Sequence, residues 1–369
     1  MSRLSITHLR NIARADVEFS SRLNLIIGDN GSGKTSLLEA IYYLATTRSF
    51  RNSQIAPLIA HNEKEVIVFG IMSDVEGFQT RIGVSRSLEG KREIRVNGES
   101  VTRASDLARL LPVLVLGPDT VELLLGSPQG RRRFLNWGVF HVKPEFSVDW
   151  DVANRCLKHR NKLLKGRYQE EELKVWTDRL VDSAESIDRN RTEYFLEFKE
   201  LYLKRICELT NFGNEVSIEY YRGWDIRSEL EAVYRDSIEV DKRRGFTHHG
   251  FHKADLQLTI NGRSVVEVCS RGELKMLAWA MVLTQGKLKS QVNDHRVVYL
   301  VDDLVSELDF DHRELLCKSL IEMNGQIVAT GINQKELEAS WNGQLANVFH
   351  VKQGVLSTLS GTLEYQNEQ

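Results

Sequence analysis

Leu23-Asn24-Leu25-Ile26-Ile27 runs into Gly28-Asp29-Asn30-Gly31-Ser32-Gly33-Lys34-Thr35-Ser36, and that loop runs into LLEAIYYLA (37–45). The first stretch is nearly continuous in apolar residues, the mark of a buried strand, and the last reads as a helix. The string between them satisfies G-x-x-x-x-G-K-[ST] in full, in the strand-then-helix context that the motif needs. Its glycines let the backbone curl around a phosphate, while free N–H groups and the helix N-terminus turn positive partial charge toward it. Lys34 is expected to reach the terminal phosphates and the Thr35 hydroxyl to coordinate magnesium. The implied ligands are a nucleoside triphosphate and Mg2+.

Such a loop needs a metal partner, and the chain supplies one late. VVYLVDD (297–303) reads as a second buried strand, and Asp302 closes it where a Walker B aspartate belongs. Asp303 follows at once, and a carboxylate there can orient or deprotonate an attacking water. The bland alternative is a pair of strand-end aspartates that cap the next helix. Lys34 and Asp302 stand near opposite ends of the 369-residue chain, whereas a small kinase or GTPase keeps the two halves close. The nearest approach to a guanine-reading N-K-x-D, Asn161-Lys162-Leu163-Leu164, lacks the aspartate.

Around these halves the pattern predicts an α/β protein. Leu4, Ile6, Val17 and Phe19 alternate as two short strands, and 66–72, 80–85, 93–97 and 112–118 read as strands, with Asn97-Gly98 as a hairpin turn. Residues 150–210 are helix-like, with Leu180, Ile187, Tyr194, Phe198, Leu201 and Ile206 close to helical spacing. Even about 40 helical residues reach only about 60 Å, which fits a short arm. Strand patterns return at LQLTINGRSV (256–265) and QIVATG (326–331), with a helix over 271–288 and a final hairpin around Gly354. The expected organisation is an ATPase head with a mixed sheet around the loop, built from 1–109 and 241–369, with a mainly helical lobe inserted at 110–240.

Composition bounds the function. The chain is 41% hydrophobic and 27% charged with net charge −2, so any nucleic-acid contact has to use local basic patches. Four widely spaced cysteines, Cys156, Cys207, Cys269 and Cys317, offer neither a C-x-x-C metal pair nor a dense disulfide framework, which suits a reducing cytoplasm. The longest apolar run, Met276 to Leu283, is far short of the roughly 20 residues of a membrane span.

Ser270-Arg271-Gly272-Glu273-Leu274-Lys275 lies about 30 residues before Asp302 and is similar to the signature motif of ATP-binding-cassette proteins; Ser306-Glu307-Leu308-Asp309 resembles their D-loop. LRN (9–11), SFR (49–51), GSPQGRRRFLNWG (126–138) and HKADL (252–256) narrow the resemblance to the RecF family of bacterial recombinational repair proteins, from the first strand to the last hairpin. That resemblance implies a cytoplasmic ATPase that binds single-stranded and duplex DNA at gaps and junctions when ATP is present. It implies an ATP-dependent homodimer and partners RecO and RecR, with which RecA is loaded. Ser270, with Arg271 and Gly272, would close over the nucleotide of the opposite subunit, and Asp309 would touch the partner's loop. Asp303 would take the catalytic place, and Arg10 and Asn11 would lie near the nucleotide. Three positions depart from the family's pattern: Glu273 stands for the usual glutamine, Phe251 for a proline, and Thr330 for a switch histidine. Gln129 is the only candidate offered for a Q-loop.

Other features have two readings each. Arg155, Lys158, Lys162 and Lys165 share one helical face at spacings of 3, 4 and 3, with Arg160 and Arg167 adding charge. They are a DNA-backbone stripe or a solvated helix face. Arg131-Arg132-Arg133 follows a helix start at Ser127-Pro128, where basic charge opposes the helix dipole, and this points to a DNA or nucleotide contact or to a solvated run. Lys242-Arg243-Arg244 reads as solvated, and His248, His249 and His252 as a motif segment rather than a metal site. A transporter ATPase subunit, an SMC-type chromosome protein and a small-molecule kinase remain rivals. The first lacks its L-S-G-G-Q string here, the second its long coiled coils, and the third has no use for the 270–275 signature.

Overall fold

A computed structural model describes residues 1–51, 54, 56–73, 76–166, 169–292 and 296–358. The chain divides into two compact units, Met1–Asp119 with Ser290–Gln369, and Thr120–Lys289.

The first unit holds two sheets. One is antiparallel, in the order β2 (Ile12–Glu18), β1 (Arg3–Leu9), β4 (Glu65–Ser73), β5 (Gln79–Ser87), β6 (Arg92–Val96), β7 (Glu99–Ser100). Asn97 at φ 52° and Gly98 at φ 90° make its last turn, the left-handed pair that matches strand twist. The other sheet runs β15 (Val355–Thr358), β14 (Asn347–Lys352), β3 (Leu23–Ile27), β13 (Gln326–Gly331), β12 (Val298–Val301), β8 (Val113–Leu116). Only its β14–β15 pair is antiparallel, so the expected mixed sheet around the loop is observed. All five residues of β3 are buried.

Helix Lys34–Thr46 lies in the core shared by both sheets: Leu37, Leu38, Ile41 and Leu44 cluster with Leu4 and Ile6 of β1 and with Val328 and Phe349 of the mixed sheet. A helix apolar on nearly every side has to be enclosed, which is why SLLEAIYYLA sits here.

The second unit pairs helix Phe146–Leu164 with the 40-residue helix Glu170–Leu209. Along the latter, Leu180, Ile187, Tyr194, Phe198 and Ile206 are buried as the spacing predicts, while Tyr202 rather than Leu201 fills the inner row. The three-stranded sheet of β9 (Val216–Tyr221), β10 (Asp255–Ile260) and β11 (Arg263–Ser264) and the helix Arg271–Ser290 complete the unit.

The division differs at both edges from the lobe expected at 110–240. Pro112–Leu116 belongs to the first unit, because β8 completes the mixed sheet against β12 in parallel register. Residues 241–289 belong to the second, because β10 pairs with β9. No helix among the described residues is long and apolar enough to cross a membrane.

Candidate functional site

The loop of residues 28–36 is shaped by contacts that only small residues permit. A Cβ on Gly28 would stand 2.3 Å from the Val351 carbonyl oxygen and 2.7 Å from Ser32 Oγ. Gly33, at φ 121°, turns the chain into the helix in a conformation that side chains resist. Asn11, in the β1–β2 turn, accepts from Ser36 Oγ at 2.9 Å and donates to the Gly31 carbonyl at 3.2 Å. From the β14–β15 turn the Gly354 N–H donates to the Ser32 carbonyl at 2.7 Å. Arg10 lines the cavity beside the loop and pairs with buried Glu39 through two hydrogen bonds of 2.8 Å. Ser49 also donates to that carboxylate.

Lys34 Nζ donates to the Gly28 and Asp29 carbonyls at 2.7 and 3.0 Å. Burial lowers its pKa, and Asp303, Asp302 and Asp29 pull it back up. Thr35 Oγ1 donates to the two carboxylate oxygens of Asp302 at 3.1 and 3.0 Å, across 267 positions of sequence. Thr330 ties the two aspartates together, its hydroxyl donating to Asp302 Oδ1 at 2.8 Å and accepting from the Asp303 N–H at 2.8 Å. Asp303 is held left-handed at φ 53°, and Ser306 donates to its Oδ1 at 3.1 Å. Burial raises the Asp302 carboxyl above its ordinary range; Thr330 and Thr35 pull it down, and the nearby Asp303 carboxylate adds to the rise.

These groups open on a cavity of about 1120 Å³ lined by Asn11, Asn30, Gly31, Gly33, Lys34, Thr35, Ser36, Asp302 and Asp303 among others. Its residues fit a triphosphate: Ser32 Oγ is buried with no hydrogen-bond partner among the described residues, in a loop turned by Gly31 at φ 75° and Gly33 at φ 121°. They fit magnesium as well. Thr35 and Asp302 bring only hard oxygen donors, and few of them, which suits an ion that keeps waters and takes the rest of its ligands from phosphate.

The signature candidates lie in the second unit. Ser270, Arg271 and Gly272 are all exposed. Ser270 Oγ accepts from the Glu273 N–H at 3.3 Å while Glu273 accepts from the Ser270 N–H at 2.7 Å. That reciprocal pair is a capping box, which takes Glu or Gln alike, so Glu273 has a local role of its own. Asp309, in the first unit, is exposed and caps helix Phe310–Glu322 by accepting from the His312 N–H at 3.0 Å.

Two basic groups expected to meet DNA are turned inward. Arg131 makes a two-toothed pair with Asp255 at 2.8 and 3.0 Å and donates to the Gly126 carbonyl at 2.9 Å. Arg132 donates to the Ala254 carbonyl at 2.8 Å. The charge placed against the helix dipole is thus used to tie this helix to β10, and Arg133 is the exposed member of the run. Arg160, expected to add charge to the stripe, is fully buried. Arg167 lies outside the described residues. Arg155, Lys158, Lys162 and Lys165 are exposed. His248 pairs with Asp241 at 3.0 Å and His252 donates to the Thr247 carbonyl at 3.0 Å. Among the described residues no group of three or more His, Cys, Asp or Glu is placed to hold a metal. Gln129 stands exposed near the start of helix Pro128–Val142.

Sequence reading missed Glu39, the buried carboxylate that holds Arg10; an acid inside an otherwise apolar helix is the signal that marks it. Arg51, the last residue of the SFR segment, also lines the cavity, as do Pro57, His61 and Lys64 on a segment without a motif of its own.

With this geometry in hand, the comparisons are direct. The chain matches the RecF/RecN/SMC N-terminal domain family over residues 1–357. It is 41% identical to the DNA replication and repair protein RecF of Cellvibrio japonicus, covering 97% of this chain and 99% of that one. It is 38% identical to the protein of the same description from Pseudomonas syringae pv. syringae, over 96% and 97% of the two chains. In fold it resembles a solved structure of the recombination mediator protein RecF with ATP in the RecFOR pathway (TM-score 0.85, 24% identity, 97% of both chains). It resembles an SMC head bound to the C-terminal winged-helix domain of ScpA more distantly (TM-score 0.60, 16% identity, 98% of both chains).

Proposed function

This chain belongs to the RecF family of DNA replication and repair proteins, with an ABC/SMC-type ATPase fold, and from that premise we propose that it is a weak, regulatory ATPase whose copies pair around ATP to grip DNA. The observation that carries the reading is the Thr35–Asp302 contact, with Lys34 and Asp303 on the same cavity. It joins the two halves of an ATPase centre from opposite ends of the chain.

The residues divide the work. Backbone N–H groups of the loop and Lys34 hold the phosphates, and Lys34 gives up its carbonyl partners to do so. Thr35 and Asp302 hold magnesium, which when bound neutralises charge on the phosphates. Asp303 orients the attacking water and takes its proton; Thr330 fixes its backbone, in the place of the family's histidine. Exposure of Ser270, Arg271 and Gly272 supports their closing over the nucleotide of a second copy, with Asp309 reaching the partner's loop. ATP then favours the paired state and hydrolysis releases it, a population shift. The family premise supports a cytoplasmic protein that works at single-strand gaps and junctions with RecO and RecR to load RecA.

The test is sedimentation or light scattering with and without ATP, on gapped and blunt duplex DNA. Asp303→Asn should retain ATP binding, slow turnover and accumulate dimers, and Lys34→Met should lose ATP-dependent DNA binding. Monomers under every condition, or full ATP-dependent DNA binding by Lys34→Met, would refute the reading.

A further inference from the structure

Helix Phe146–Leu164 and the residue after it carry five cations in a short span, and the structure divides them. Arg160 is consumed inside the second unit. Its guanidinium pairs with Asp241 at 2.8 Å, donates to Thr177 at 3.2 Å, and lies over the Tyr234 ring at 4.9 Å. Its neighbour Asn161 accepts from the Thr247 N–H at 2.8 Å. These bonds lock the rotation of the helix, so its other side is presented in one register.

That side carries Arg155, Lys158, Lys162 and Lys165. All four are exposed, and none forms an ion pair among the described residues. Lys158, Lys162 and Lys165 line a shallow cleft of about 500 Å³ with Asn154, Leu157 and Asn161. Gly245, at φ 71°, brings the backbone close against the Lys165 stem. Cations in a last helical turn are often no more than complements of the helix dipole. That accounts for Lys162 and Lys165 but not for Arg155 and Lys158, which lie further back. Exposed Asp151, one turn before Arg155 on the same face, bounds the stripe.

We propose that this face docks the phosphate backbone of duplex DNA without reading its sequence. The inference rests on the DNA-binding reading above and gives it a surface. From Arg155 to Lys165 the helix rises about 15 Å, enough to meet about four successive phosphates of one strand at roughly 3.4 Å of axis each. Single-strand sites add aromatic platforms on which bases stack. Here the ring of His159, on this helix, is stacked on Trp176 at 4.3 Å and 5°, so phosphate contact is what the face offers.

The test replaces Arg155, Lys158, Lys162 and Lys165 with Gln together in the full-length protein, since Gln preserves helix propensity. Binding to blunt duplex and to oligo-dT is measured with ATP from 50 to 200 mM salt, alongside ATP affinity. The duplex log–log salt slope should flatten by about 3 to 4, at about 0.9 per phosphate. Across that fourfold salt range this is roughly a hundredfold smaller change in affinity, with ATP affinity unchanged. Lys158→Arg, Lys162→Arg and Lys165→Arg together should keep the wild-type slope. If the fourfold variant does not fold, Lys158→Gln with Lys162→Gln is read instead, with a flattening of about 2. An unchanged duplex slope overturns the inference alone and gives the face to some other acidic partner, and a loss confined to oligo-dT overturns it equally. Wild-type protein that fails to bind DNA with ATP overturns the functional reading together with it.

Discussion

In the loop of residues 28–36, phosphate is to be met by backbone N–H groups and one lysine whose positions are set by neighbours at van der Waals contact. On helix Phe146–Leu164 it is to be met by four long side chains standing in water. The first arrangement is tightly held: Lys34 is already bound by two carbonyls, and Gly28 has no room for a methyl group. The second is open, with charges free of carboxylate partners among the described residues. Preorganised donors in a buried site act at short range and resist screening, whereas exposed charges are screened within about 10 Å at 0.1 M salt. The two proposed phosphate sites should therefore respond to different perturbations.

The largest expected effect is in the loop. Gly28→Ala puts a Cβ 2.3 Å from a backbone oxygen, and overpacking of this kind costs about 1–3 kcal/mol. Nucleotide affinity should fall by about tenfold to a hundredfold by calorimetry, since each 1.4 kcal/mol is tenfold and the misplaced donors lose their aim. Next comes Thr330→Val. It leaves the buried Asp302 Oδ1 and the Asp303 N–H without their partner, at about 1–3 kcal/mol of stability. Turnover should drop more than ATP binding does. Equal turnover would mean that Asp303 does not depend on this hydroxyl.

Acidification separates the two sites further. A carboxyl whose pKa is raised on folding contributes its stability below the ordinary carboxylate range and loses it as pH rises through the raised value. Asp302 is such a group, and metal binding needs its ionised form. The magnesium-dependent gain in melting temperature with ATP should thus be largest near pH 8 and shrink as pH falls through the raised value. DNA binding by the helix face uses no carboxyl or metal and should hold. The smallest effect is Lys158→Gln alone, which should take about 0.9 from the salt slope, or about threefold over a fourfold change in salt. The same substitution should leave ATP affinity untouched.

How much of this could be read from sequence follows the same division. The loop was legible because its geometry permits few residue types, and those types at fixed spacing form a string. Asp302 and Asp303 were legible as the polar end of an apolar strand. Thr330 was visible as a departure, but its bond to both aspartates depends on β12 and β13 lying side by side. The cations were harder, because charge in a sequence does not say which way a side chain turns. Arg160 and Lys158 are two residues apart, yet one is sealed against Asp241 and the other stands in solvent. Arg131 and Arg132 were expected outside, and two of the groups that turn them inward, the Asp255 carboxylate and the Ala254 carbonyl, lie more than 100 positions away. The edges of the second unit moved for a like reason: a strand such as β8 belongs to whichever sheet needs it.

Strand β3 leads into the loop, yet both its partners, β13 and β14, begin at residue 326 or later. A growing polypeptide that has already produced the loop must therefore extend by some 300 further residues before the strand finds a neighbour. At roughly 5–20 residues per second, that wait is about 15–60 s. During it the apolar run Leu23–Ile27 has neither edge covered, a condition that invites misassociation. On the proposed function, the ribosome-bound chain would be blind to ATP until β13 and β14 had emerged, so the nucleotide answers only a chain whose mixed sheet has closed around β3.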